Sequence, residues 1–383
     1  MSSSTDPGHF FQTDSALEAS ARKSAKSKNT KGNPIKLSSK ILAAAADPRN
    51  EELIYVAEAA GNVKRIKLET KDIAATFSGP LAPLTSLAVS SISNTVFAGC
   101  WDKTIWSWST NTRQVLRQYK GHTDFVKAVL SVSIGGKELL ISGSADASII
   151  VWNVATGEKL QTLKGHTRGV LALAIDPAEE ASSSETVTVF SAGSDREIRR
   201  WSIGLTSGFE IQATDDCPTP ILAHQTSVDS IRFDADGDLW TASADKTAKC
   251  LSRSRKWEAD TALEHPDFVR DIAVDDQGGW VATACRDEEV RVWEKGNGKL
   301  HHVYTGHYEE VTALVLLSGQ RLVSVSIDGT VRQWSLRAQD LSKAIKEAED
   351  EQLGVEKDKE VPKASLMTVE EERELAELLG EDD

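Results

Sequence analysis

The sequence predicts an all-β fold, a seven-bladed β-propeller whose blades are four-stranded antiparallel sheets. The main observation is an internal repeat in which His, Ser or Thr, Asp and Trp recur in this order about every 40 to 45 residues, the length of one four-stranded blade. A second observation is that a short apolar stretch follows each of these His residues and that a pair of turn residues recurs 8 to 11 residues before most of the Asp residues. Because a propeller grows by repetition around one axis, the 383 residues need not be divided into several globular domains.

Four copies of the repeat are complete, with the hydroxyl residue four residues before the Asp and the Trp six residues after it. The complete copies are His122, Ser142, Asp146 and Trp152; His166, Ser191, Asp195 and Trp201; His265, Thr283, Asp287 and Trp293; and His307, Ser324, Asp328 and Trp334. A fifth copy, with His224, Thr241 and Asp245, has Leu251 at the Trp position. Ser, His and Asp also make up nucleophilic triads, but a catalytic site is seldom repeated around a ring. We therefore interpret each quartet as a hydrogen-bond chain inside its blade, in which His joins the entering loop to the Asp turn and the hydroxyl group receives the Trp N–H.

Strand and turn patterns recur with the quartets. Val lies four residues after the His in all five copies and begins a β-prone stretch that is expected to line the central channel. The expected strands are 126–132, 170–175, 228–233, 269–274 and 311–317. Turn residues typical of hairpins lie 8 to 11 residues before Asp146, Asp245, Asp287 and Asp328, at Gly135-Gly136, Asp236-Gly237, Gly278-Gly279 and Ser318-Gly319, with Ser93-Asn94 in the same place before Asp102.

Two degenerate units precede the first complete copy. One has Asp102 and Trp108 but Pro80 at the His position and Ala98 at the hydroxyl position, and the unit before it, from 41 to 77, has four short strands and no quartet. The chain after Trp334 supplies no fourth strand for the last unit. We therefore expect residues 34–37 to pair there and close the ring, which removes exposed strand edges. Polar inserts at 178–185 and 205–220 lengthen two repeats and are expected to be loops.

The two ends of the chain differ in composition from the propeller, which we expect to span residues 34–337. Residues 1–33 are predicted to be a disordered, Ser-rich arm that carries a basic cluster. Residues 338–383 contain 16 acidic and 6 basic residues, so this tail carries −10 of the total charge of −14. Within the tail, a capping-box pattern at Thr368 precedes Leu375, Leu378 and Leu379 at helical spacing, which predicts a short helix at about 369–379. Two interpretations of this helix are open: it docks in the groove of a partner, or it is part of a tail that only increases solubility. The three leucines favour docking, because the second interpretation does not explain them.

Composition also bounds the function. The chain has 40% hydrophobic and 27% charged residues and no apolar run near the roughly 18 residues of a membrane span, so we expect no membrane insertion. The N-terminus lacks the basic start and apolar core of a secretory signal, which favours the cytoplasm, the nucleus or both. The propeller is almost neutral, so direct nucleic-acid binding is not expected. The sequence contains no phosphate loop, paired metal-ligand spacing or unrepeated nucleophile beside a base, and we expect no enzyme activity, small-molecule substrate, cofactor or metal.

The Gly-His pairs at 121–122, 165–166 and 306–307, the Asp turns and the Trp positions resemble the WD-repeat β-propeller family over residues 36–337. The chain departs from that family's pattern because Asn153, Ser202, Glu294 and Ser335 stand after the Trp residues. The resemblance implies a rigid platform for protein or peptide partners, with binding at the rim where His loops and Asp turns emerge. Carried onto this chain, the partner-binding rim contains Trp101, Asp124, Phe125, Arg168, Asp267, Phe268, Arg286, Tyr308 and Glu309.

These observations predict a non-enzymatic scaffold or adaptor that binds other proteins or peptides, as part of a complex, on the rim and through the tail helix. A narrower alternative is a substrate receptor of a cullin-type ubiquitin ligase. Residues 322–337 resemble the box of those receptors, with Asp328, Trp334 and Arg337 in place. The segment departs from that box at Ser335, where an acidic residue is usual, and at the bulky Val325.

Overall fold

A computed structural model describes residues 14–177, 185–214 and 218–360. Its strands form seven four-stranded antiparallel sheets, which confirms the predicted propeller. Blades 1 and 2 contain β2 (Ile41–Ala46), β3 (Leu53–Glu58), β4 (Val63–Lys67) and β5 (Asp72–Phe77), followed by β6 (Leu84–Ser90), β7 (Thr95–Cys100), β8 (Thr104–Ser109) and β9 (Val115–Lys120); blades 3 and 4 contain β10 (Val126–Ile134), β11 (Lys137–Ser144), β12 (Ser148–Asn153) and β13 (Lys159–Lys164), followed by β14 (Val170–Ile175), β15 (Thr186–Gly193), β16 (Ile198–Gly204) and β17 (Gly208–Glu210). Blades 5 and 6 contain β18 (Val228–Phe233), β19 (Leu239–Ser243), β20 (Thr247–Ser252) and β21 (Glu258–Glu264), followed by β22 (Val269–Asp275), β23 (Trp280–Cys285), β24 (Glu289–Glu294) and β25 (Leu300–Thr305). Blade 7 contains β26 (Val311–Leu317), β27 (Arg321–Ser326), β28 (Thr330–Ser335) and, from the N-terminal side of the chain, β1 (Ile35–Lys36).

The first strand of every blade begins with a fully buried apolar residue. In blades 3 to 7 this residue is the Val four positions after the His, and Ile41 and Leu84 take its place in blades 1 and 2. Directly after it, the pairing with the second strand shifts by one residue in all seven blades. Such a bulge bends the strand and increases its twist where the chain enters the blade. Residues from all seven first strands line a central cavity of about 340 Å³.

Buried apolar side chains pack between neighbouring blades. Phe97 and Tyr119 of blade 2 pack with Trp152 of blade 3, and Ile54 of blade 1 shares a cluster with Val325 of blade 7. Neighbouring blades cover the inner strands on both faces, so that all six residues of β7 are buried. This explains why these strands appear in the sequence as continuous apolar runs rather than alternating patterns.

The ring closes between the two ends of the propeller sequence. In β1, Ile35 pairs with Val331 and Lys36 pairs with Thr330, which confirms the predicted fourth strand of blade 7. The residues before β1 continue along the same blade, where the N–H of Gln333 donates to the carbonyl of Gly32 at 2.7 Å. The chain therefore removes the edge that an open last blade would expose.

Three segments of the described chain differ from what the sequence predicts. The arm expected to be disordered contains helix α1 (Asp14–Lys26), and the residues expected to link the propeller to the tail helix form α2 (Ala338–Glu360). Strand β17, the fourth strand of blade 4, lies within the insert 205–220 that we expected to be a loop. The predicted tail helix at 369–379, with Leu375, Leu378 and Leu379, lies outside the described residues. Of the helices in the described ranges, none is long and apolar enough to cross a membrane.

Candidate functional site

Three quartets form a continuous chain of hydrogen bonds. In blade 3, the indole N–H of Trp152 donates to the Ser142 hydroxyl at 2.9 Å, Ser142 lies 2.8 Å from Nε2 of His122, and Nδ1 of His122 lies 3.0 Å from the Asp146 carboxylate. The quartets of blades 4 and 7 have the same three contacts, at 2.7 to 3.0 Å. Because a carboxylate only accepts, Nδ1 carries the proton and Nε2 accepts from the hydroxyl group.

Each of these three quartets also fixes the loop and the turn at one end of its blade. The Asp146 carboxylate accepts the backbone N–H of Thr123, in the loop after His122, at 2.8 Å, and that of Ser148, after the turn, at 2.9 Å. The loop entering the first strand and the turn between the second and third strands are thereby joined. This end of the blades is the rim on which partner binding is predicted.

Burial determines the protonation states of the quartets. It lowers the pKa of His122 and of His307, although Asp146 and Asp328 oppose this shift, so both imidazoles are neutral near pH 7. Burial alone would raise the pKa of Asp195, but the hydrogen bond and charge of His166 and two backbone N–H groups outweigh it and lower the pKa to about 2. The Ser142, Ser191 and Ser324 side chains are fully buried. These groups therefore satisfy one another and present no accessible nucleophile.

Blades 5 and 6 depart from this pattern in different ways. In blade 5, His224 contacts Asp245 at 3.0 Å and Thr241 at 2.7 Å, so the Thr241 hydroxyl donates to Nε2 of His224 as in the complete quartets. No Trp donates to this hydroxyl, and its oxygen lies 3.1 Å from the carbonyl of Lys249.

In blade 6, Trp293 and His265 both contact Thr283, as predicted. The prediction that His265 bonds to Asp287 is wrong. Nδ1 of His265 instead faces the carbonyl of Leu263 at 3.1 Å. Asp287 pairs with Arg291 at 2.6 and 3.1 Å, because a guanidinium four residues away offers two charge-assisted hydrogen bonds.

The rim residues of blades 2 and 3 form an aromatic pair. The rings of Trp101 and Phe125 stack with centroids 5.1 Å apart and an interplanar angle of 17°, and the Lys127 ammonium lies 5.6 Å from the Trp101 ring. Trp101 is 41% exposed. Beside this pair, the Asp124 carboxylate accepts the backbone N–H of Phe125 at 2.8 Å. The pair is thus a rigid aromatic surface in contact with solvent.

The predicted rim residues of blades 6 and 7 contact neighbouring residues of the chain. Arg286 lies 5.1 Å above the Phe268 ring and 4.0 Å from the Asp267 carboxylate. The Tyr308 hydroxyl donates to the carbonyl of Asp328 at 3.0 Å. Glu309 forms an ion pair with Lys23 of α1 at 2.5 Å, so the chain's own arm engages one of the predicted partner-binding residues.

Arg168 lies at an open cavity between blades 4 and 5. This cavity, about 640 Å³, has two arginines and one carboxylate among polar residues, and it is lined by Arg168, Arg196, Asp195, Gln225, Thr167, Ser194, Thr226 and Ser227. Both arginines are exposed. The site is therefore polar and positively charged, unlike the aromatic surface of blades 2 and 3.

Charged groups at the mouth of the channel were missed from the sequence. Arg270 pairs with Asp229 at 2.9 Å and also with Glu310. Lys127, Asp229 and Arg270 each lie five residues after the repeat His of their blade, one position beyond the Val that recurs within the chain. Comparison of that single repeat position across the blades would have identified them. The same position is Leu171 in blade 4 and Thr312 in blade 7.

The closed ring and its repeated quartets define a repeat protein of the β-propeller class. A family model described as "WD domain, G-beta repeat" matches residues 71–109, 113–153, 157–202, 216–251, 260–294 and 298–335. The chain belongs to this WD40 family. The first three strands of blade 1 lie before the matched residues, in agreement with the lack of a quartet in this blade.

The chain is similar to other repeat proteins over very different lengths. It is 35% identical over 391 positions to an uncharacterized WD repeat-containing protein of Schizosaccharomyces pombe, covering 98% of this chain and 99% of that protein. It is 28% identical to the nuclear distribution protein PAC1 of Coccidioides posadasii, covering 66% of this chain and 57% of that protein. The mitochondrial division protein 1 of S. pombe is 32% identical over 136 residues, which cover 30% of this chain and 21% of that protein.

Proposed function

We propose that the protein is a non-enzymatic scaffold that binds protein partners on the propeller rim. The observation that carries this proposal is the exposed Trp101–Phe125 stack, a preformed aromatic surface of the kind that anchors protein interfaces. The buried quartets support a non-enzymatic role, because their imidazole, hydroxyl and carboxylate groups are occupied by hydrogen bonds within the blade. Partners are proteins or peptides, and neither nucleic acid nor a small-molecule substrate is proposed.

The rim proposal is tested by affinity purification of the full chain and of the double variant Trp101→Ala, Phe125→Ala. We expect the variant to lose the partners that the full chain retains, with its melting temperature little changed. Phe209→Ala is the matched control, because Phe209 is 59% exposed but lies on β17 at the outer edge of blade 4. An unchanged set of retained proteins, identified by mass spectrometry, contradicts binding at the aromatic surface.

A second candidate is the substrate receptor of a cullin-type ubiquitin ligase. The supporting observation is that Arg337 is exposed beside a cavity of about 270 Å³ that also contains Trp334 and Ser335. A receptor would lose the ligase adaptor in the variant Arg337→Ala and retain it in the control Arg113→Ala, which alters an exposed arginine in a turn of blade 2. Absence of the adaptor from the unmodified chain contradicts the receptor role and leaves the general scaffold intact.

We propose the cytoplasm, the nucleus or both as the compartment. Cys100, Cys250 and Cys285 are free and buried, and burial raises the pKa of each thiol to about 12. These cysteines act as small apolar core residues. Free cysteines of this kind are typical of proteins in reducing compartments.

A further inference from the structure

Helix α1 contacts the rim through ion pairs. Arg22 and Lys26 both pair with the Glu288 carboxylate, at 2.9 and 2.7 Å, and Lys23 pairs with Glu309 at 2.5 Å. Arg22 and Lys26 are four residues apart and therefore lie on one face of the helix. Three cations of the last two turns of α1 thus meet two carboxylates of blades 6 and 7.

Glu288 is exceptional at its position in the repeat. The residue after the Asp adopts a positive φ in every blade that has this turn, and φ is 80° at Glu288. The equivalent residues are Lys103, Ala147, Arg196, Lys246 and Gly329, which are basic or small. Glu288 is the acidic member of this set, and it is 6% exposed whereas Lys103, Arg196 and Lys246 are exposed. The basic helix therefore covers the one of these turns whose charge is opposite to its own.

The segment between α1 and β1 keeps the helix near this site. Arg332, which is fully buried in blade 7, donates to the carbonyls of Lys31 and Asn29. The Gly32 carbonyl accepts from Gln333, and a side chain at Gly32 would collide with the Trp334 ring. Because the chain is fixed a few residues after Lys26, the effective concentration of α1 at the rim is high.

We propose that Glu288 and Glu309 form a docking surface for a basic helix and that α1 of the same chain occupies it. A partner that uses the rim of blades 6 and 7 then has to displace α1, and the partner element that fits this surface is itself a basic helix. The docking of α1 does not depend on the proposed scaffold function, whereas its displacement by a partner rests on that function. The described ion pairs of α1 all lie on blades 6 and 7 and do not involve the Trp101–Phe125 surface of blades 2 and 3.

The docking is tested on the full chain with a carbodiimide, which joins an amine and a carboxylate that are in contact. We expect amide crosslinks between Lys26 and Glu288 and between Lys23 and Glu309, identified by mass spectrometry. Their yield should fall as salt is added, because the Arg22 and Lys23 side chains are 62% and 41% exposed and exposed ion pairs are screened. In an equal mixture of unlabelled and isotope-labelled chains, the crosslinks should join residues of the same label. Crosslinks between different labels would show that α1 docks on a second copy and would overturn occupancy within one chain.

A charge exchange tests the same contact without chemical modification. Glu288→Lys should make the amides of α1 exchange with solvent roughly tenfold faster, while the turn keeps its conformation because Lys103 and Lys246 occupy the equivalent positions. Arg22→Glu and Lys26→Glu, added to Glu288→Lys, should restore the protection. Lys246→Glu is the matched control on blade 5 and should leave α1 unchanged. Equal exchange in the original chain and in Glu288→Lys, or the same acceleration in the control, overturns the docking surface.

Displacement is tested with a labelled peptide of residues 14–31 and fluorescence anisotropy. The peptide should bind the full-chain variant Arg22→Glu, Lys26→Glu roughly tenfold more tightly than the unmodified chain, because the variant's own helix no longer occupies the surface. Equal affinity for the two chains overturns displacement. That outcome leaves the aromatic rim experiment unaffected, so failure of this inference is distinguishable from failure of the proposed scaffold function.

Discussion

At the scale of single residues, each quartet depends on every member having a partner. Replacing Asp146 by Ala leaves Nδ1–H of His122 and the backbone N–H groups of Thr123 and Ser148 without their acceptor. Unsatisfied buried groups cost about 1–3 kcal/mol. We expect Asp146→Ala to lower the free energy of unfolding by that amount and to lower the melting temperature, while partner binding away from blade 3 is kept. Asp236→Ala is the control, since its side chain is 77% exposed. An unchanged melting temperature of Asp146→Ala would contradict the structural role of the quartet.

The unusual histidine of blade 6 predicts a dependence of stability on pH. Burial and the charge of Arg291 lower the pKa of His265 to about 4, whereas an unfolded His titrates near about 6.5. Between these values the unfolded chain binds a proton that the folded chain does not, so the stability contributed by neutral His265 is complete above about pH 6.5 and is lost as the pH falls toward 4. We expect the free energy of unfolding of the original chain to decrease from about pH 7 to about pH 5. In the variant His265→Gln, this decrease should be smaller by about 2 kcal/mol, because the variant lacks the group that takes up the proton on unfolding. Denaturant titrations at both pH values check this, with the half-buried His301 replaced by Gln as control. An equal decrease in the original chain and in His265→Gln would show that His265 is not responsible.

At the scale of elements, the sequence repeat predicts strand positions best where the same type of residue has the same structural role in every blade. The Val after each His correctly marks the start of the first strands, and the missing fourth strand after Trp334 correctly predicts the pairing of Ile35 with Val331. Strand β17 was missed because its three residues, Gly208–Glu210, are too few to show a period and begin with glycine. The Asp287–Arg291 pair was missed because the repeat pattern does not include the residue four positions after the Asp. Helix α1 was missed because Glu288 and Glu309, which it contacts, lie more than 260 residues away in the chain and leave no signal in the local sequence.

The first strands of blades 3, 5 and 6 carry the charges at the channel mouth, and their pairing is testable. Arg270 pairs with Asp229 and Glu310, while burial raises the pKa of Asp229 against the opposing charge of Arg270. Arg270→Ala removes the guanidinium with which both the Asp229 and the Glu310 carboxylates pair. We expect it to lower the free energy of unfolding by about 1–3 kcal/mol, since hydrogen bonds to charged groups contribute about this much. Adding Asp229→Asn should recover part of the loss, which a denaturant titration of the single and double variants measures. If the double variant is no more stable than Arg270→Ala, the pairing does not account for the loss.

At the scale of the whole molecule, different parts of the rim expose different types of side chain. Blades 2 and 3 present stacked aromatic rings, blades 4 and 5 present arginines around a polar cavity, and blades 6 and 7 present carboxylates that α1 covers. The quartets hold the loops of blades 3, 4 and 7 in the same geometry. Differences between these regions therefore arise from the residues next to the quartets, and the proposed scaffold offers three chemically distinct surfaces.

Closure of the ring makes the stability of the propeller depend on a two-residue strand. Ile35 of β1 is 5% exposed, pairs with Val331, and belongs to the apolar cluster that joins blade 7 to blade 1. Ile35→Ala removes buried methyl groups at that junction, and such a change costs about 2 kcal/mol or more. We expect a lower free energy of unfolding and, by native-state hydrogen exchange, faster opening in blades 1 and 7 than in blade 4, because the ring is weakened where its ends meet. Lys36→Ala, at the exposed neighbouring position of the same strand, keeps the ladder and should leave both quantities nearly unchanged. Equal acceleration of exchange in all blades would instead mean that the ring opens as a single cooperative unit and that β1 is not its weakest junction.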